Sequence, residues 1–170
     1  MEIMMKEICK AFASNKVLRN AGFSLKTGEI HALMGENGAG KSTLMKILTG
    51  VYTKDEGTIL VDGKEVCYKS AREAEKSGIV FIHQELNVLF DLTVEENMFL
   101  GKEIKNCFGV CDKSRMQKEA KVILERLGVN IDPRQRMNEL SIGQQQMVEI
   151  AKALMADAQV IICLLYTSPS

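Results

Sequence analysis

Residues 34–43, with the sequence MGENGAGKST, combine three glycines, one lysine and two hydroxyl side chains. Gly35, Gly40, Lys41 and Ser42 have the spacing of a loop that binds phosphate groups. Glycines let the backbone curl so that successive N–H groups point at phosphate oxygens, and a helix beginning near Lys41 adds partial positive charge. A glycine-rich turn with a solvated lysine is the alternative. The strand and the helix predicted on either side favour the phosphate loop.

The side chains of this motif suit a nucleoside triphosphate. Lys41 is expected to reach the β- and γ-phosphates, the Ser42 hydroxyl to bind Mg²⁺, and Thr43 to contact an α-phosphate. The other residues expected to surround the phosphates are Gly35, Glu36, Asn37, Gly38, Ala39 and Gly40.

A second motif, LSIGQQQMVEIAKAL, occupies residues 140–154. Ser141 and Gly143 stand at the start of a predicted amphipathic helix, where a hydroxyl and backbone N–H groups form a second anion site. An ordinary N-capped helix is the alternative. The predicted apolar face of this helix consists of Met147, Ile150, Ala151 and Leu154.

Strands and helices alternate along the rest of the chain. EIMMKEI, AGFSLKTG, EIHALM, IVFI and QVII have the composition of strands, and Asp62-Gly63 predicts a hairpin turn. Helices are predicted after Gly40, in SAREAEKSG, and beyond the capping residues Thr93 and Asp112. This order predicts an α/β domain with a mainly parallel sheet and an early hairpin region.

Composition narrows the class of protein. The 170 residues include 22 acidic and 22 basic side chains, so no net field draws the chain to nucleic acid. No apolar run has the length of a membrane span and no signal peptide is visible, which predicts a soluble cytoplasmic protein. The five cysteines show no disulfide pattern. Cys107 and Cys111 resemble half of a metal site, but no second pair follows.

The glycine loop and the second motif together resemble the ATP-binding cassette (ABC) family. The resemblance implies a P-loop NTPase fold with an antiparallel β region and a helical subdomain over roughly 88–156. It also implies that two cassettes enclose two ATP molecules between them. The residues that would then contact the ATP of the facing cassette are Ser141, Ile142, Gly143 and Gln144.

Two further positions acquire roles from the resemblance. Phe12 lies where the family has an aromatic ring that stacks on adenine, although a core phenylalanine at a strand end is the alternative. Gln84, two residues after IVFI, matches a glutamine that contacts Mg²⁺ and the attacking water, although a simple loop residue is the alternative. His83 is interpreted as a loop residue and His31 as a core histidine.

Within the family, the chain looks like the first cassette of bacterial monosaccharide importers of the ribose, xylose, galactose or methylgalactoside type. That resemblance implies three partners: a second cassette, a membrane permease for the sugar and, indirectly, a periplasmic sugar-binding protein. It places the chain on the cytoplasmic face of the membrane, with no nucleic-acid partner. A soluble cassette protein acting on ribosomes or DNA, and a fragment that binds ATP without hydrolysis, are the alternatives.

The family pattern stops at Ile162. Leu164 and Leu165 stand where the family has an aspartate that orders Mg²⁺ and a glutamate that acts as general base, and the switch histidine is absent. We therefore expect 1–162 to be a partial nucleotide-binding domain, incomplete at its C-terminus, and 163–170 to be an aberrant tail. Such a chain is expected to hold ATP without turning it over.

Overall fold

The computed structural model describes residues 1–82 and 87–163, which form strands β1 to β6, helices α1 to α5 and one turn of 3₁₀ helix. In chain order the elements are β1 (Ile3–Phe12), β2 (Asn15–Leu25), α1 (Lys41–Leu48), β3 (Glu56–Val61), β4 (Lys64–Glu65), α2 (Ala71–Lys76), β5 (Ile79–Ile82), α3 (Val94–Met98), α4 (Lys113–Arg126), the 3₁₀ turn (Met137–Glu139), α5 (Ile142–Met155) and β6 (Val160–Cys163). The chain divides into two compact units, residues 1–81 with 158–163, and residues 82–157.

The first unit contains a four-stranded sheet in the order β2-β1-β3-β4, with every neighbouring pair antiparallel. Ile3 and Met5 are buried in the alternating pattern of a strand with one face on the core. A bulge then interrupts the alternation, because Glu7 and Ile8 oppose the single residue Gly57 of β3. Glu7 has a positive φ of 53°, and Ile8 returns to the buried face. The antiparallel region predicted from the sequence is thereby confirmed.

The hairpin predicted at Asp62-Gly63 connects β3 and β4. Both turn residues have positive φ, 50° for Asp62 and 75° for Gly63, as a tight hairpin turn requires. Val61 pairs with Lys64 across the turn, and the Val66 N–H donates to the Ile59 carbonyl at 2.9 Å just beyond β4. The local dipeptide therefore determines this part of the fold.

The strand predicted for EIHALM is absent: residues 29–36 carry no strand assignment. Ile30 and Met34 are 99% and 88% exposed, where the prediction placed them in the sheet. A segment that is apolar on both faces forms a strand only when neighbouring strands hydrogen-bond to its N–H and C=O groups. None of the described strands pairs with this segment, so it enters the glycine loop as exposed, irregular chain.

The strands predicted from IVFI and QVII are confirmed as β5 and β6, which pair in a separate two-stranded sheet. The carbonyl of Gly78, just before β5, accepts from the N–H groups of Gln159 and Val160, at the start of β6. Because both strands begin beside this contact, they run in the same direction. α2, capped by Ser70, leads into β5 as predicted.

The second unit is helical and has its own core. The capping box predicted from the sequence forms: Thr93 accepts from the Glu96 N–H, and the Glu96 side chain accepts from the Thr93 N–H. α4 begins at the cap Asp112 and buries Met116, Ala120 and Leu124. Ile123 and Leu127 are only partly buried, and they pack against the same core.

The predicted apolar face of α5 is confirmed only in part, because Ala151 alone of its four residues is fully buried. The helix buries Gln145, Val148, Glu149, Ala151 and Ala153, whereas Met147, Ile150 and Leu154 are only partly buried. Polar groups reach the interior because they find partners there. The Gln145 amide donates to the carbonyls of Met137 and Leu140 at 3.0 and 3.1 Å, and Glu149 bonds Lys152 at 2.6 Å. Hydrophobicity alone therefore did not predict that Gln145 and Glu149 are buried.

Residues 105–111 form a small hairpin that is held by its own hydrogen bonds, with Lys105 bridging to Cys111. The Asn106 carboxamide oxygen accepts from the N–H groups of Phe108 and Val110, both at 3.0 Å. The Asn106 N–H donates to the Val110 carbonyl at 2.8 Å. Cys107 and Phe108 form the turn of this hairpin, and the Phe108 side chain is exposed.

The helices are short compared with a lipid bilayer. α4 and α5 have 14 residues each, whereas a membrane-spanning helix needs about 20 predominantly apolar residues. Within residues 1–82 and 87–163, no helix combines the length and hydropathy needed to cross a membrane.

Candidate functional site

Gly40 ends the glycine loop and is the N-cap of α1, with a φ of 89°. A side chain there would be strained, and its Cβ would lie 2.6 Å from Leu18 Cδ2 and 3.2 Å from the Val17 carbonyl oxygen. The end of the loop therefore packs closely against β2. This contact fixes where α1 begins, and only glycine fits it.

Lys41 folds back over its own loop. Its ammonium donates to the carbonyl oxygens of Gly35 and Glu36, at 2.6 and 2.7 Å. In the part of the chain that the structure describes, no carboxylate pairs with it, and the first turn of α1 contains no acidic residue. The cation therefore lies within the loop with only neutral partners, where an anionic group would be stabilised.

The N-terminal turn of α1 offers unpaired donors. Gly40 supplies no side-chain cap, and the first intrahelical bond runs from the Leu44 N–H to the Gly40 carbonyl at 2.9 Å. The N–H groups of the first turn therefore have no intrahelical acceptor, and they carry the positive end of the helix dipole. The Ser42 side chain is exposed beside them. This combination suits phosphate oxygens and, through the hydroxyl, a hard cation.

The predicted loop residues lie together at the surface. Gly35, Glu36, Asn37, Gly38 and Ala39 are exposed, Gly40 is buried, and Thr43 is partly buried in α1. Among the described residues, no group of three His, Cys, Asp or Glu side chains is arranged to hold a metal ion. Gln84, the other predicted Mg²⁺ ligand, lies outside the described residues, as do His83, Leu164 and Leu165.

Phe12 is at the end of β1, opposite Asn15, and its side chain is 40% exposed. The ring meets Tyr52 edge to face, with centroids 5.2 Å apart and an interplanar angle of 71°. Lys10 lies over the same ring, 5.5 Å from its centroid. The alternative of a core phenylalanine is therefore excluded. Sequence reasoning did not identify Tyr52, because its partner is 40 positions away.

Asp55 anchors the strand end that carries Phe12. Its carboxylate accepts from the Lys10 ammonium at 2.6 Å and from the Ala11 N–H at 2.7 Å, and its own N–H donates to the Cys9 carbonyl. The bond from Lys10, followed by that from Ala11, holds the pKa of the Asp55 carboxyl below its ordinary value. The carboxylate is therefore ionised at neutral pH, where it can accept the bonds from Lys10 and Ala11.

Ser141 is the N-cap of α5, as the sequence predicts. Its hydroxyl and its N–H both bond the side-chain oxygen of Gln144, at 3.0 and 2.9 Å, and the Gln144 N–H faces the hydroxyl in return. Ile142 and Gly143 are exposed, and a Cβ on Gly143 would meet no atom within 4 Å. The helix end is therefore open to solvent in this unit, while the loop at 35–43 belongs to the other unit.

A family model described as ABC transporter matches residues 18–163, which include the glycine loop and α5. The ribose import ATP-binding protein RbsA of Bacillus cereus is 60% identical over 163 residues, covering 95% of this chain and 33% of the relative. The protein of the same name from Bacillus subtilis is 52% identical over 162 residues, again covering 95% and 33%. The chain therefore spans about one third of the length of these curated relatives.

Solved structures agree with the sequence comparison. The ADP conformation of an ATP-binding cassette of an ABC transporter has a TM-score of 0.80 and 31% identity, covering 95% of this chain and 67% of that one. A dimeric, post-hydrolysis cassette bound to ADP and Pi has a TM-score of 0.74 and 27% identity, covering 95% and 72%. The predicted α/β fold of the P-loop NTPase type is confirmed. On the family match, the relatives and these structures, the chain belongs to the ABC transporter family.

Proposed function

We propose that the chain binds Mg·ATP through residues 35–43. The observation that supports this most directly is the position of Lys41, whose ammonium is folded into the loop without a carboxylate partner among the described residues. The loop backbone and the first turn of α1 supply further donors, with Thr43 next to the α-phosphate. An oligophosphate would compensate both the ammonium and the helix dipole.

The ends of the nucleotide engage residues outside the loop. Phe12 offers exposed aromatic area to the adenine base. Ser42 and Gln84 are the proposed ligands of Mg²⁺, since hydroxyl and amide oxygens are the hard donors that this ion accepts. When bound, Mg²⁺ would offset the charge of the phosphate oxygens.

The wider function that we propose is that of the energising subunit of a monosaccharide importer. The support is the identity of the relatives, which are ribose import ATP-binding proteins. In this proposal the chain is the first cassette. It closes on a second cassette around ATP, and closure is transmitted through Gln84 to a membrane permease that receives sugar from a periplasmic binding protein. The chain would then lie on the cytoplasmic face of the membrane.

The competing functions have less support. The relatives named above are ribose import ATP-binding proteins, and neither is described as acting on ribosomes or DNA. The equal numbers of acidic and basic residues also give no electrostatic attraction to nucleic acid. We retain as proposals the partial cassette at 1–162, its helical subdomain at 88–156 and the aberrant tail at 163–170.

The chain as it stands is expected to bind Mg·ATP without hydrolysing it. Leu164 and Leu165 cannot accept a proton or bind a hard cation, and loss of a positioned base costs roughly 10²- to 10⁴-fold in rate. Calorimetry should show saturable binding of Mg·ATP and much weaker binding of AMP, which lacks the β- and γ-phosphates. Phosphate release should equal that of buffer. Release that disappears in the Lys41→Ala variant would contradict this expectation.

Ser141 is expected to act on the nucleotide of a facing cassette. Ser141→Ala should therefore leave the affinity of a dilute, single chain for Mg·ATP within about twofold of the parent. It should weaken ATP-dependent pairing of chains, measured by sedimentation velocity. Losing the cap also costs about 1 kcal/mol of helix stability.

The matched control for Ser141 is Thr93→Ala, which removes the capping box of α3 instead. If pairing depends on the exposed end of α5, Thr93→Ala leaves it unchanged. Equal loss of pairing in both variants would show that helix stability is the cause. A tenfold loss of single-chain affinity in Ser141→Ala would refute the role in trans.

A further inference from the structure

Tyr52 is attached to the C-terminal end of the helix that begins at Lys41. Its N–H and that of Val51 donate to the Lys46 carbonyl, at 3.0 and 2.8 Å. The Lys46 ammonium in turn lies 5.3 Å from the centroid of the Tyr52 ring. Because the backbone and the ring are both held by Lys46, the position of Tyr52 follows that of α1.

The segment that begins with Tyr52 also holds the end of β1. Tyr52 contacts the Phe12 ring edge to face, and Asp55, three residues later, bonds both Lys10 and the Ala11 N–H. Phe12 is therefore fixed through its ring and through the two residues before it. Every one of these contacts lies within the first unit.

These contacts connect the two proposed ends of the nucleotide site. Lys41 is the first residue of α1, and Tyr52 follows the C-terminal end of the same helix. Tyr52 contacts the ring of Phe12, which is 40% exposed. We propose that Tyr52 is a positioning residue for the nucleotide base: it fixes the Phe12 ring relative to the phosphate-binding helix, so that a purine nucleoside triphosphate engages both. This inference rests on the proposed binding of ATP by residues 35–43.

Tyr52 acts through Phe12 and touches no phosphate-binding residue among those described, so its effect should depend on the base. An edge-to-face aromatic pair contributes enough to change an equilibrium about 3- to 10-fold. Tyr52→Leu should weaken Mg·ATP binding by that factor. Binding of magnesium tripolyphosphate, which has no base, should stay within twofold of the parent. Tyr52→Phe keeps the ring and should restore the parent affinity for Mg·ATP.

The decisive experiment is a double-mutant cycle measured by calorimetry with both ligands. In the Phe12→Leu background, adding Tyr52→Leu should cause no further loss of Mg·ATP affinity, because the ring that Tyr52 positions is gone. Additive losses would overturn the inference, as would an equal loss of tripolyphosphate binding or no loss in Tyr52→Leu. Melting curves check the fold of each variant, and Tyr52→Met replaces Tyr52→Leu if the latter does not fold.

Failure of the proposed function would look different. A parent chain that binds neither Mg·ATP nor tripolyphosphate would overturn the nucleotide site itself, and this inference with it. A parent that binds both ligands through Lys41 but is insensitive to every Tyr52 variant would overturn only the role of Tyr52.

Discussion

The Lys41→Ala variant is expected to lose Mg·ATP binding by about 100-fold or more while keeping its fold. Each hydrogen bond from an ammonium to a charged acceptor contributes roughly 1.5–3 kcal/mol, and two such bonds are lost with the side chain. Among the described residues, the hydrogen bonds of the ammonium are those to the Gly35 and Glu36 carbonyls of its own exposed loop. Its removal should therefore leave the thermal unfolding transition nearly unchanged. Calorimetric titration with Mg·ATP measures the loss.

The control for Lys41 is another lysine that is the first residue of a helix. Lys113 begins α4 and pairs with Glu96 at 3.0 Å, far from the loop in sequence. Lys113→Ala removes the same charge from the same helical position, so it tests whether a general loss of positive charge weakens binding. Its affinity for Mg·ATP should match the parent. Equal affinities of Lys41→Ala and the parent would refute the assignment of the site.

Gly57→Ala is expected to destabilise the protein by on the order of 3 kcal/mol or more. Gly57 opposes the bulge in β1 with a φ of 95°, which strains any other residue. The added Cβ would also lie 2.5 Å from the Glu7 carbonyl oxygen and 2.6 Å from that of Lys6. These are backbone atoms, so no side-chain rotation relieves the clash, and the β1–β3 pairing must shift. Urea unfolding followed by circular dichroism measures the free energy of unfolding.

Gly63→Ala separates the two causes. Gly63 has a positive φ of 75°, but a Cβ there would meet no atom within 4 Å. Only the conformational strain remains, which costs about 1–2 kcal/mol. The excess loss in Gly57→Ala then reports the close approach of the two backbones. If both variants lose the same stability, the bulge accommodates a methyl group and the geometry described for β1 and β3 is wrong.

The features that the sequence predicts well are those set by neighbouring residues. The hairpin at Asp62-Gly63 needs only two residues with positive φ, and the caps at Thr93 and Ser141 each bond a residue three positions ahead. The glycine loop is equally local, because Lys41 bonds Gly35 and Glu36 within its own turn. Spacing alone was therefore enough to locate the proposed phosphate-binding residues.

The features that the sequence predicts poorly depend on distant partners. The segment that contains Ile30 and Met34 has the composition of a buried strand, but a strand forms only where another strand pairs with it through hydrogen bonds. Gln145 is buried in the helical unit because its side-chain amide donates to the carbonyls of Met137 and Leu140. The Tyr52–Phe12 contact likewise joins residues 40 positions apart. No local pattern contains this information.

The hairpin at 105–111 has a consequence for how this family diverges. Its shape depends on the Asn106 side chain and on the positive φ of 77° at Gly109, and the exposed side chains at its tip support nothing in either core. Selection for folding therefore acts on Asn106 and Gly109 and leaves Cys107, Phe108 and Val110 free to drift. Among homologous cassettes, these positions should accumulate substitutions and insertions faster than the strands and helices around them.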